Sequence, residues 1–298
     1  MSATEFGAGA RARAGAAATR LRKRAAPVRA RALVTARLPT ASTRLLPDFL
    51  IIGAQKSGTT SLRLALGQHP AVTMSLKGEV HYFDWNFHRG IDWYRAHFPT
   101  RRLRERSLRQ RGEFATGEKS PYYLLDPLVP ARVRDVLPEA KLVVLLRDPV
   151  ARALSGYHHA RRHGTETLSF EEALACELRQ GDRPPAPADP RSLSLEYNWR
   201  SYIARGLYAE QLERWLGCFD RAQIHVALSE RYFADPALVV GEIQRFLGLS
   251  TVVPPKLTPR GRAGYEPVPD AMRLQLQEIF APDVRRLTEL LGENPGWW

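Results

Sequence analysis

Cysteine is scarce: Cys176 and Cys218 are the only two in 298 residues. At most one disulfide can form, and no metal-ligand spacing exists, so free thiols in a reducing compartment are the default expectation. No run reaches the ~20 apolar residues of a membrane span, and none has the layout of a secretory signal. Acidic residues are short as well, 31 against 44 lysines and arginines, for a formal net charge of +13. The imbalance is local. Between Met1 and Leu46 nine arginines and one lysine face a single glutamate, so +9 of the +13 lies there.

Residues 1–46 are therefore read as a basic, disordered tail, or one that turns helical on an anionic surface, with residues 1–44 dispensable because no apolar periodicity is evident. The arginine-rich, acid-poor composition also resembles an organelle transit peptide, although the same alanine and arginine bias runs through the whole chain. Residues 47–298 are expected to form one domain. With 44% hydrophobic residues, ~250 residues can bury a substantial core in a single α/β unit. No nucleic-acid module and no interleaved basic and aromatic face is present, so no specific nucleic-acid partner is expected. The sequence leaves the oligomeric state open.

What is present begins at Asp48–Ser61, DFLIIGAQKSGTTS. An apolar strand runs into a glycine-containing turn and then a helix N-terminus, where backbone N–H groups and the helix dipole attract an anion and Lys56 adds a full charge. The turn is not a Walker loop. There a lysine and a magnesium-holding hydroxyl follow the second glycine, whereas here Lys56 precedes Gly58 and Thr59 follows it. The apolar strand Leu142–Leu146 ends in Arg147, a fork that suits phosphate, and not in a metal-binding aspartate.

These blocks resemble the sulfotransferases that use 3′-phosphoadenylyl sulfate, most closely the branch acting on heparan sulfate by N- or 3-O-transfer. IIGAQKSGTTSL (51–62) is similar to the family's 5′-phosphosulfate loop and LLRDPVARALSGY (145–157) to its 3′-phosphate block. GEVHYFDWNFHRGIDWYRAHFP (78–99) and GEKSPYYL (117–124) look like the acceptor-side blocks of that branch; GLYAEQLERWL (206–216), FLGL (246–249) and PRGRAGYEPV (259–268) extend the likeness. It covers roughly residues 47–292.

The resemblance implies a donor, 3′-phosphoadenylyl sulfate, a product, adenosine 3′,5′-bisphosphate, and no metal requirement. Lys56, Ser57, Gly58, Thr59 and Thr60 are expected to hold the 5′-phosphosulfate, with Lys56 also catalytic. Arg147 and Ser155 are expected on the 3′-phosphate, and Arg260, Gly261 and Arg262 in a basic loop closing over the cofactor. The disulfide-closed hairpin usual before that loop has no cysteines here. Glu79 matches the glutamate proposed as general base, His81 and Asp84 its neighbours, and Lys119 and Ser120 the EKSP-like block. The acceptor is a glycan or another small metabolite bearing a hydroxyl or amine. Golgi anchoring is typical of the animal members, so a chain without a span implies a cytoplasmic enzyme.

Strand candidates at 49–53, 72–74, 114–118, 141–146 and 224–228 alternate with helix candidates at 60–68, 127–137, 150–163, 202–218, 236–247 and 270–291. The pattern predicts a P-loop-like three-layer α/β fold, a central parallel sheet flanked by helices, with ligands at the carboxyl ends of the strands. The proline-rich stretch 180–190 reads as a loop beside the acceptor site. Period-two alternation sets Glu79 and His81 on one side of an extended segment, away from Val80 and Tyr82. Either can serve as the base on that reading. A nucleotide or adenylyl-sulfate kinase is the alternative, and it would need the magnesium and Walker lysine noted above.

Overall fold

The computed structural model describes residues 29–179, 201–255 and 268–298. Residues 1–28, the 180–190 loop, and Arg260, Gly261 and Arg262 lie outside the described residues. Five strands form one sheet: β1 Phe49–Gly53, β2 Val72–Met74, β3 Ala115–Lys119, β4 Lys141–Leu146 and β5 Ile224–Leu228. Their order is β2-β3-β1-β4-β5 and every pairing is parallel.

The central strands explain the layering. In β1, Leu50 and Ile52 join one core cluster while Phe49 and Ile51 join the other. In β4, Leu142, Val144 and Leu146 face the first, and Val143 and Leu145 the second. A strand apolar at every position must be covered on both faces, as in doubly wound sheets. Helices supply the cover: α1 (29–37), α2 Thr59–Leu66, α3 Gly90–Arg95, α4 Arg101–Arg111, α5 Val129–Val136, α6 Pro149–Arg162, α7 Phe170–Arg179, α8 Tyr208–Leu216, α9 Ser229–Ala234, α10 Pro236–Leu247 and α11 Asp270–Leu291. Starts are chemically marked. Asp148 caps α6, accepting from the Val150 N–H at 2.9 Å with Pro149 in the first turn, and Asp235 does the same for α10 through Leu238 at 3.0 Å. None of the described helices is long and apolar enough to cross a membrane.

The chain visits β2 and β3 on one side of β1, then β4 and β5 on the other. The order thus reverses beside β1, and a crevice opens at the carboxyl ends of β1 and β4.

The tail boundary expected at residue 46 needs correction. Residues 29–37 are helical, Leu38–Thr43 forms a 3-10 helix, and Val34, Ala41 and Leu45 are buried. Arg44 donates to the Phe98 carbonyl at 3.0 Å, and its own carbonyl accepts from Arg95 at 2.9 Å. Apolar residues at 34, 38, 41 and 45 do follow helical spacing, but arginines and alanines between them hid it.

Candidate active site

The loop after β1 has little steric freedom. A Cβ on Gly53 would meet Leu124 at 2.6 Å. Gly58 has φ of 96° and a Cβ there would meet the Phe233 ring at 2.9 Å, so only glycine suits both backbone and packing. Lys56 also has positive φ, 75°. The loop delivers Thr59 and Thr60 as the first turn of α2. Ser57 is fully buried; its carbonyl accepts from Ser229 Oγ at 2.7 Å, while its own Oγ has no partner among the described residues.

Arg147 leaves the end of β4 and donates through Nη1 to the Lys56 carbonyl at 3.1 Å, so two parallel strand ends are tied together. From α6, Ser155, His159 and Arg162 recur at helical spacing and share one face. One cavity of about 240 Å³ is lined by Lys56, Gly58, Thr59, Thr60, Arg147 and Ser155, and also by Glu79 and Lys119. His159, Arg162 and Phe233 line it too. Ser57 belongs to the same loop but is fully buried and does not line the cavity. Burial lowers the Lys56 ammonium to about 8, helped by the charges of Arg162, Arg147 and Lys119. A crowd of cations with no carboxylate beside Lys56 among the described residues suits a polyanion bearing phosphate or sulfate.

The residues expected on the acceptor side form a hydrogen-bonded chain. Asp84 Oδ2 accepts from His81 Nδ1 at 2.7 Å, and His81 Nε2 meets Glu79 Oε2 at 3.1 Å. Lys119 Nζ donates to Glu79 Oε1 and, at 3.2 Å, to Thr60 Oγ1 in the loop. Burial disfavours the Glu79 carboxylate, yet hydrogen bonds from His81 and the Lys119 charge outweigh it and bring the group to about 2. Burial likewise opposes the His81 cation, and the two carboxylates overcome that, raising it to about 9. The Glu79 side chain keeps 40% exposure against 9% for His81.

Glu79 and His81 do meet, but not by strand alternation. The segment is no strand, and His81 has φ of 55°. That kink turns its ring back onto Glu79 while Val80 and Tyr82 enter the core. Trp85 stacks on the His81 ring at 3.9 Å and stays 39% exposed, whereas Tyr123 is fully buried.

Glu118 was not singled out by the sequence. Fully buried in β3, it accepts from the Tyr94 hydroxyl at 2.7 Å, the Tyr123 hydroxyl at 3.0 Å and Ser120 Oγ at 3.1 Å. Ser120 Oγ in turn accepts from the His81 N–H at 3.1 Å, and Tyr123 from the Tyr82 N–H at 2.8 Å. The carboxyl thus braces the kinked segment from below. The signal available was a glutamate inside an apolar strand with tyrosines at 94 and 123. Burial raises its pKa to about 7 despite the three hydroxyl donors. A raised folded value means the native state holds the proton longer. Stability from this group is present below about 4.5 and lost as pH rises through 7. His81 shifts in the same direction, with its contribution present below 6.5 and lost through about 9. Thermal unfolding of Glu118→Gln should therefore lack part of the decline that the unmodified chain shows between pH 5 and 8. Parallel Tm curves would contradict it.

His159 and Arg162 were missed, although their spacing from Ser155 marks them; Phe233 carried no sequence signal. Among the described residues no cluster of three or more histidines, cysteines, aspartates or glutamates is arranged to hold a metal ion. A family described as "Sulfotransferase domain" matches residues 46–257. The human heparan sulfate glucosamine 3-O-sulfotransferase 6 is 33% identical over 291 residues, 87% of this chain and 77% of that protein. Bifunctional heparan sulfate N-deacetylase/N-sulfotransferase 4 of Mus musculus is 35% identical over 69% of this chain, which spans 22% of that longer protein. Among solved structures, a sulfotransferase from Alicyclobacillus acidocaldarius is similar at a TM-score of 0.65 and 36% identity, covering 85% of this chain and 99% of the other.

Proposed function

This chain belongs to the sulfotransferase family and transfers a sulfuryl group, and on that premise we propose that 3′-phosphoadenylyl sulfate is the donor, a glycan hydroxyl or amine the acceptor, and Glu79 the general base. The observation that carries this reading is the single cavity joining a cationic loop to a carboxylate. Lys56, Thr59 and Thr60 hold the phosphosulfate; Arg147 and Ser155 hold the 3′-phosphate. The acceptor oxygen or nitrogen attacks sulfur in line, the bond from sulfur to the 5′-phosphate oxygen breaks, and Lys56 neutralises charge left on that oxygen. The acceptor's proton goes to Glu79.

Geometry supports Glu79 over His81 for that proton. Both His81 nitrogens are engaged by carboxylates and the ring is cationic at neutral pH, so it has no lone pair to offer. Glu79 is ionised and reachable from the cavity. An acceptor entering must displace Lys119 or His81 from one carboxylate oxygen, which restores basicity as it binds. The kinase reading is not favoured, since the position after Gly58 holds Thr59 where a Walker lysine belongs.

Titration with adenosine 3′,5′-bisphosphate in chelator, followed by labelled sulfate transfer to a panel including heparan sulfate, tests the proposal. Expected are metal-independent binding and transfer to at least one glycan. Binding abolished by chelator, or donor hydrolysis without transfer to any acceptor, would sink it.

A further inference from the structure

A second cavity, about 570 Å³, lies between α1 and the 86–97 region and shares no lining residue with the cleft described above. Its volume is in the range of small-molecule sites. Arg31 from α1, Lys77 and Arg89 line it, and no aspartate or glutamate does so among the described residues. These cations act on one another and on the imidazole beside them. The Lys77 ammonium is lowered by burial and then by Arg31, although the Glu79, Asp84 and Glu118 carboxylates beyond the wall partly oppose this. Burial pushes His97 down to about 4, with Lys77, Arg37 and Arg89 adding to it.

The second observation is His97 itself. It is 3% exposed and lines the cavity, yet neither ring nitrogen has a hydrogen-bond partner among the described residues. A buried polar group left unpaired is costly, and a neutral imidazole offers one donor and one acceptor. The walls also provide apolar surface. Trp93 stands edge-on to His97 at 4.6 Å with the Arg89 guanidinium 4.9 Å from its ring centroid, and Val34 closes the α1 side. Guanidinium groups with no ion-pair partner among the described residues, an imidazole with no hydrogen-bond partner among them and an indole ring around one hollow match one kind of guest.

We propose that this cavity is a binding site for a small organic anion, a carboxylate or sulfonate on an apolar ring or chain, separate from the donor and acceptor sites. The head group pairs with Arg31, Lys77 and Arg89 and accepts from His97, and the apolar body lies on Trp93 and Val34. The inference does not rest on the reading of the catalytic cleft, because occupancy is measurable without turnover.

The test uses 1-anilinonaphthalene-8-sulfonate as probe on the full chain, with adenosine 3′,5′-bisphosphate present in excess. One saturable site is expected, unaffected by an excess of heparan oligosaccharide. Arg89→Glu and Arg31→Glu, both at exposed positions, should each weaken it ~10-fold or more, as reversal of an ion pair predicts. His97→Leu is the discriminating variant. It removes nitrogens that have no protein partner, so Tm should hold or rise while probe affinity falls ~10-fold. Unchanged affinity in His97→Leu and in both charge reversals would overturn the proposal. Displacement by the oligosaccharide would make the cavity part of the acceptor cleft and overturn the separate site.

Discussion

Glu79→Gln is expected to bind adenosine 3′,5′-bisphosphate as tightly as the unmodified chain and to lose ~10²–10⁴-fold in single-turnover sulfuryl transfer, the usual cost of removing a general base. The amide keeps the shape of the carboxylate but cannot take the acceptor's proton. Donor affinity should hold because the proposed phosphate contacts come from the loop after β1 and from Arg147 and Ser155, whereas Glu79 makes its hydrogen bonds to His81 and Lys119. The substitution also frees Lys119 from its ion pair, leaving one more uncompensated cation beside Thr60. Any drift in bisphosphate affinity should therefore be toward tighter binding. His81→Ala is the necessary companion. On this reading it loses the positioning of Glu79 and the packing under Trp85, with a smaller fall in rate that a base exchanged for a spectator would not reproduce. If Glu79→Gln turns over normally while His81→Ala is inactive with intact donor binding, the histidine is the base.

Much of the sheet was legible because central strands announce themselves. Phe49–Gly53 and Lys141–Leu146 are apolar at consecutive positions and bounded by turn chemistry, and they form as read. β3 is shifted by one residue, to Ala115–Lys119, which moves Lys119 from the loop into the strand end where it reaches Glu79. α4 was illegible for a physical reason: RRLRERSLRQR has only Ser107 buried, so no apolar stripe marks it. That Lys56, Thr59, Thr60, Arg147 and Ser155 gather at one cavity could be read from local motifs, since a loop at a strand end and a hydroxyl two turns along a helix are short-range features. The geometry of Glu79 and His81 could not. The contact between Glu79 and His81 depends on a left-handed residue held by Ser120 and Tyr123, whose hydroxyls are fixed by Glu118, and those residues are about 40 positions away in sequence. Pairings at that separation carry no periodicity to detect.

Lys56→Ala is expected to impair both donor binding and chemistry, which distinguishes it from Glu79→Gln. In the free protein its ammonium is a partly buried cation among other cations, lowered to about 8. An arriving phosphosulfate supplies the negative charge that this crowding lacks. Losing one charge-assisted contact costs ~1.5–3 kcal/mol, or about 10–150-fold in donor affinity. Rate should fall a further ~10²–10³-fold, because the same ammonium meets charge that grows on the departing oxygen only as the bond breaks. The pH dependence separates this from mere loss of structure. On the proposed role the protonated form of Lys56 binds the anion, so bisphosphate affinity in the unmodified chain should hold below pH 8 and decline above it as the free ammonium deprotonates. Lys56→Ala should bind weakly at every pH and show no decline centred there. An unchanged break near pH 8 in the variant would assign the titration to another group, and full turnover in Lys56→Ala would remove the lysine from the chemistry. Arg147, which ties β4 to the loop through the Lys56 carbonyl, sharpens the contrast. Replacing it with alanine should weaken the bisphosphate without abolishing the pH break, since the ammonium that titrates is still present.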